Sequence, residues 1–160
     1  MKESILKYAI YNHWANIKLL SNIKDHAPQL LEKEIASSFN SISKTVLHIA
    51  DAEYIWHARM SGGVADKIPG KSGAGIEILA QLDQQLIDLV HSKNDQFFSQ
   101  STSYKSIKGE PFTNNNAAIF WHVFNHSTFH RGQIVTQLRN GGYSGPLDST
   151  DFISFERSLQ

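Results

Sequence analysis

Three histidines, His122, His126 and His130, stand at successive spacings of four in TNNNAAIFWHVFNHSTFHRGQIVTQLRNGG, residues 113–142. On a helix, side chains four apart share a face, so each adjacent pair offers two imidazoles to one divalent ion. The outer two cannot share an ion. They lie ~12 Å apart along the axis and are rotated by about 80°, against a metal–nitrogen bond of ~2.1 Å. His126 therefore belongs to whichever pair binds. Histidines at this spacing also occur solvated or hydrogen-bonded with no ligand. Here the neighbours Ile119, Phe120, Val123, Phe124, Ile134, Val135 and Leu138 favour coordination, because unpaired imidazoles are costly to bury.

Two imidazoles need a further ligand to hold a divalent ion well. Cysteine is absent, so the third must be His, Asp or Glu. Of the remaining histidines, His26 falls at a helix end, His91 on a polar flank and His57 off the core stripes. His48 fits best, bordering a core stripe with small Ala52 one turn on, and His13 competes with it. Asp51 and Glu53 are candidates to orient an imidazole from behind. Three neutral imidazoles would leave an open coordination position, the catalytic rather than the closed structural arrangement. An ion so held lowers the pKa of a bound water or thiol and polarises a carbonyl. Ser127 lies beside His126, but no independent acid is visible to complete a hydrolytic triad.

Long amphipathic helices must position these groups. Residues 2–25 carry a stripe of Ile5, Ala9, Asn12, Asn16, Leu19 and Ile23 and end before Pro28. A connector, 29–40, has room for one short turn of helix. A second helix over 42–60, capped by Asn40 or Ser41 and stopped by Ser61-Gly62-Gly63, carries Val46, Ile49, Glu53, Trp56 and Met60. Residues 61–75 read as a glycine-rich loop without a phosphate-binding signature. A third helix is expected over 76–99, with Leu79, Leu82, Leu86 and Phe97 inward. Residues 104–113 break the helical period, and Lys108-Gly109 between Ile107 and Phe112 suggests a small hairpin that Pro111 confines to edge pairing. The histidine helix starts at Thr113 or one of Asn114 to Asn116 and stops at Gly141-Gly142. A short last helix is expected over 149–158, begun by Ser149 or Thr150. The expectation is an all-α fold, a four-helix bundle with a short C-terminal helix, forming one domain over residues 1–160.

With 160 residues, 41% hydrophobic and 11% aromatic, the chain can bury a real core. Fifteen basic and fifteen acidic residues give a formal net charge of +0, which supplies no field to attract nucleic acid or an anionic membrane. The N-terminal stretch lacks the apolar run of a signal peptide, and no stretch approaches the ~20 apolar residues of a membrane span. A cytoplasmic protein is the expectation.

Trp14-Ala15-Asn16, the segment HIADAEYIWHAR with His48, Trp56 and Arg59, KGEPFT, HVFNHSTFHRGQI and PLDSTDFISF occur in this order along the chain. Together they resemble the DinB family of metalloenzymes, over nearly the whole chain and most specifically at NHxxxHRGQ. The resemblance implies a four-helix bundle holding a divalent transition metal ion, zinc or nickel ahead of iron or manganese. The implied ligands are His48, His126 and His130, with His122 at a permissive position. It also implies a thiol-dependent transferase or isomerase acting on small molecules, with a non-catalytic metal-binding stress-response protein as the alternative. A homodimer is expected, using apolar Phe152, Ile153 and Phe155. Trp14, Trp56 and Trp121 read as packing residues. Arg131 is expected to face away from the ligands and form an ion pair, and Gly132 to allow close approach of another segment.

Overall fold

A computed structural model describes residues 1–106 and 108–160. Its long helices are α1 (Lys2–His26), α2 (Ile42–Met60), α4 (Ile78–Ser92) and α5 (Asn116–Asn140), with two short ones, α3 (Pro69–Ser72) and α6 (Phe152–Ser158). The all-α reading holds. Both α1 and α2 pack against α4 and α5, so the four long helices close around a shared interior. Ser41 caps α2 by accepting from the Lys44 amide, and Asn115 caps α5 by accepting from the Ala118 amide. Gly142, at φ 99°, takes the left-handed conformation that ends α5.

The third long helix is shorter than the apolar period suggests. It stops at Ser92, and Asp95–Ser99 form a 3₁₀ turn capped by Asn94, whose side chain accepts from the Phe97 amide. This change of pitch turns Phe98, rather than Phe97, fully inward. The glycine-rich loop also holds more structure than expected. In α3, Gly70 lies so close to α2 that a Cβ there would come 2.8 Å from Asp51 Oδ2. The last helix begins at Phe152 rather than at 149, because Ser149 and Asp151 bond each other instead of capping it. Of the three residues expected to face a second copy, Phe155 is buried and Phe152 stacks on Tyr8 at 4.9 Å, which leaves only Ile153 exposed.

The hairpin is present. β1 (Ser101–Lys105) pairs antiparallel with β2 (Pro111–Asn115), and Lys105 faces Pro111 at the turn end of the ladder. Each strand of a two-stranded sheet is an edge, so the missing proline N–H is tolerated. Ile107 lies outside the described residues, and Gly109 takes φ 86° in the turn. Among the described residues, no helix is long and apolar enough to cross a membrane.

The interior is layered. One apolar cluster gathers Leu19, Ile23, Val46, Ile49, Leu82 and Leu138, and a second gathers Ile5, Ala9, Leu86, Phe98, Phe120 and Phe124. Between them along the helices lie Asn12 and Asn16 of α1, Glu53 of α2, Asp83 of α4, and Ser127 and Arg131 of α5, all buried. Each long helix thus contributes polar groups to a middle layer.

Candidate metal centre

His48 comes from the second turn of α2, and His126 and His130 from successive turns of α5, where the two helices pack. His126 Nε2 lies 3.1 Å from His48 Nε2 and 3.1 Å from His130 Nε2. One donor nitrogen from each of the three falls within 4.8 Å of the others. Phe39 packs on His48 with ring centroids 4.4 Å apart, and Phe129 meets the His130 ring edge-on at 5.1 Å.

The donor set fits a divalent ion. Nitrogens bound at ~2.0–2.1 Å with near-tetrahedral angles stand roughly 3.3 Å from each other, close to the 3.1 Å of the two pairs that His126 makes. Protons serve the cluster poorly. His130 Nδ1 lies 2.7 Å from Gln133 Oε1, a bond that requires the proton on Nδ1 and leaves the Nε2 lone pair facing inward. With that lone pair fixed, a neutral cluster can satisfy only one of the two Nε2 contacts by hydrogen bonding. Charging the cluster is also unfavourable. Burial, followed by the neighbouring His130, His48 and His122, pushes His126 down to about 3. His48 is lowered by burial and by His130, against an opposing pull from Asp51, and His130 is lowered by burial.

The other candidates fall elsewhere. His122 is exposed and meets the Trp56 ring edge-on at 5.5 Å, outside the ligand cluster. His13 sits against the polar layer, its Nδ1 3.5 Å from Asp83 Oδ2. His26 and His91 are exposed, and His57 is half-buried on another part of α2. Neither carboxylate expected to orient an imidazole does so. Asp51 Oδ1 accepts from the Gly70 amide at 2.7 Å, tying α3 to α2. Glu53 is wholly buried and accepts from Asn12 Nδ2 at 2.9 Å and from Ser127 Oγ at 3.1 Å. Gln133 is the orienting residue instead, one turn beyond His130, and its i, i+3 spacing was a signal available in HRGQ.

Arg131 does point away from the ligands, but its hydrogen-bond partners are two amides and a hydroxyl rather than a carboxylate. Nη1 donates to Asn12 Oδ1 at 2.8 Å and to Asn16 Oδ1 at 2.9 Å, while Nη2 donates to Thr128 Oγ1 at 2.8 Å. Both asparagine Nδ2 groups then donate to Asp83 Oδ1 at 2.9 Å. A guanidinium can only donate and a carboxylate accepts, so these contacts fix the orientation of both amides. Gly132 needs no closeness, since a Cβ there would meet nothing within 4 Å.

The hollow beside the centre opens on one side of His48. It has a volume of about 260 Å³ and is lined by α2 and by Ile68 and Lys71 from the segment around α3.

Comparison with known proteins matches the DinB family over residues 1–158. Protein DinB of Bacillus subtilis (strain 168) is 27% identical over 166 residues, covering 92% of each chain. The crystal structure of a DinB-like protein from Bacillus cereus ATCC 10987 shares the fold, with a TM-score of 0.64 at 18% identity over 92% of this chain and 97% of that one. The match from residue 1 to residue 158, with the three imidazoles gathered on α2 and α5, establishes that this chain belongs to the DinB family.

Proposed function

We propose that the chain is a divalent-metal enzyme that uses a small thiol, a transferase or isomerase in reaction type, with His48, His126 and His130 as the metal ligands. The observation that supports it most is the convergence of three imidazole nitrogens, one of them from His48, which lines a hollow. A divalent ion bound there supplies Lewis acidity and lowers the pKa of a thiol or water that joins it. The protein's own groups do the remaining work. Gln133 holds the proton of His130 on Nδ1, so that Nε2 faces the centre. Phe39 covers one face of His48 and limits water on that side. Three neutral imidazoles leave the ion its full charge toward the hollow, and a chain without cysteine supplies no competing thiolate.

The test is binding of a small thiol, such as 2-mercaptoethanol, to zinc-loaded and metal-free protein. We expect binding only to the loaded form, with release of about one proton. Calorimetry in two buffers of different ionisation heat measures that proton. Equal binding to both forms, or none to either, would replace this reading with a non-catalytic metal-binding role.

A further inference from the structure

Arg59 is the least explained charge near the centre. Its Cζ lies 4.6 Å from the Trp56 ring centroid and 4.5 Å from that of Tyr104, and Nη2 donates to the Lys105 carbonyl at 2.9 Å. Two rings and a strand carbonyl therefore hold the guanidinium in one place. Among the described residues, no carboxylate lies within ion-pair distance of Arg59 or of Lys71. Burial lowers the Arg59 pKa, against an opposing pull from Tyr104.

The helix places this charge in line with the candidate centre. His48, Ala52, Ile55 and Arg59 occupy i, i+4, i+7 and i+11 of α2, a row that drifts by only about 20° over ~16 Å. Side chains on a helix lean toward its N-terminus, and Arg59 is folded back over Trp56, three residues earlier. The guanidinium is thus drawn toward His48, leaving a gap of roughly 10 Å. Ala52, with its small side chain, lines the floor between the two ends, and Lys71 lines the same hollow from α3. Asp51, the acid in this lining, is turned to the Gly70 amide. Glu110 borders a different hollow, on the hairpin side of Arg59.

We propose that this hollow is an anion-binding cleft, which takes a small molecule whose carboxylate is held by Arg59 and Lys71 while its other end reaches the imidazole centre at His48. The proposal rests on the thiol reading above and adds a substrate class to it: a thiol or its acceptor carrying a carboxylate several bonds from the reacting atom. Arg59 offers its fork to the carboxylate oxygens, and Lys71 adds a point charge at the rim.

The probes are 6-mercaptohexanoate and 6-mercaptohexanol, equal in length and different in charge, titrated calorimetrically into zinc-loaded protein. The carboxylate is expected to bind about tenfold or more tightly than the alcohol. That ratio should fall to near one in Arg59→Gln, fall by a few-fold in Lys71→Gln and be partly kept in Arg59→Lys. Lys71 is exposed, so its variant remains informative if the Arg59 variants misfold. A ratio near one in the unaltered protein, or a ratio untouched by Arg59→Gln and Lys71→Gln, overturns the cleft and leaves the thiol reading standing. Failure of both probes to bind removes the two together.

Discussion

Replacing His48, His126 or His130 with alanine is expected to abolish stoichiometric binding of a divalent ion, while His122→Ala keeps it. His126 Nε2 stands 3.1 Å from a donor nitrogen on either side, so removing any of the three leaves two imidazoles and an open flank. His122 shares the helix and the spacing, but its ring is turned to Trp56. Gln133→Leu belongs between these extremes. It leaves all three ligands in place but frees the His130 ring and its tautomer, and loss of such an orienting partner costs ~10–100-fold in affinity. The measurements are metal content after dialysis and competition against a chelator of known affinity. Circular dichroism should show helical content largely unchanged, since the apolar layers above and below the polar one hold the helices together. Equal loss in all four histidine variants would show that the ligand set is wrong.

The spacing of four on α5 and the exclusion of a shared ion between His122 and His130 were readable from helical geometry alone. Which pair binds was not, because both pairs sit on one helix and the choice depends on where α2 crosses it. His48 was readable as the best third ligand from its place beside a core stripe, and the family resemblance supplied the pair with His130. The stripes also carried an unread message: Asn12, Asn16 and Glu53 fall in line with Leu19, Ile49 and Met60, on positions that a simple core would fill with apolar side chains. Polar residues on a core stripe imply partners on facing helices. Asp83 and Arg131, on α4 and α5, are those partners. No local pattern marks them, since each meets the asparagines only through tertiary packing. The end of α4 was hidden for a related reason: Leu79, Leu82, Leu86 and Phe97 keep a helical period that the chain itself abandons after Ser92.

Arg131→Met should cost about 3–5 kcal/mol of stability, the range for breaking a buried charge network by removing one partner. Arg131, Asp83 and Glu53 lie together in a layer closed from solvent. Burial, together with the charge of Asp83, raises the Glu53 pKa well above the ordinary carboxylate range. Glu53 Oε2 has no hydrogen-bond donor beside it, and Asp83 faces Glu53 as an acceptor, so Glu53 is the protonated member of the pair. Asp83 is raised to about 7, chiefly by burial, and is held down from a higher value by the asparagine amides and by Arg131. A carboxyl whose folded-state pKa is raised keeps its proton after the unfolded chain has lost it. Its stabilisation is full below the unfolded value of 3.8 and is lost as pH rises through about 7. Urea unfolding should therefore show a stability that falls between about pH 4 and pH 7, by at most about 1.4 kcal/mol per pH unit for this one proton. Removing Arg131 takes away a positive neighbour of Asp83 and extends the decline to higher pH. Adding Asp83→Asn to Arg131→Met should restore part of the loss, because it removes the charge left without compensation. A cost below ~1 kcal/mol for Arg131→Met, or a double variant no more stable than the single, would mean that the asparagines alone hold the layer together.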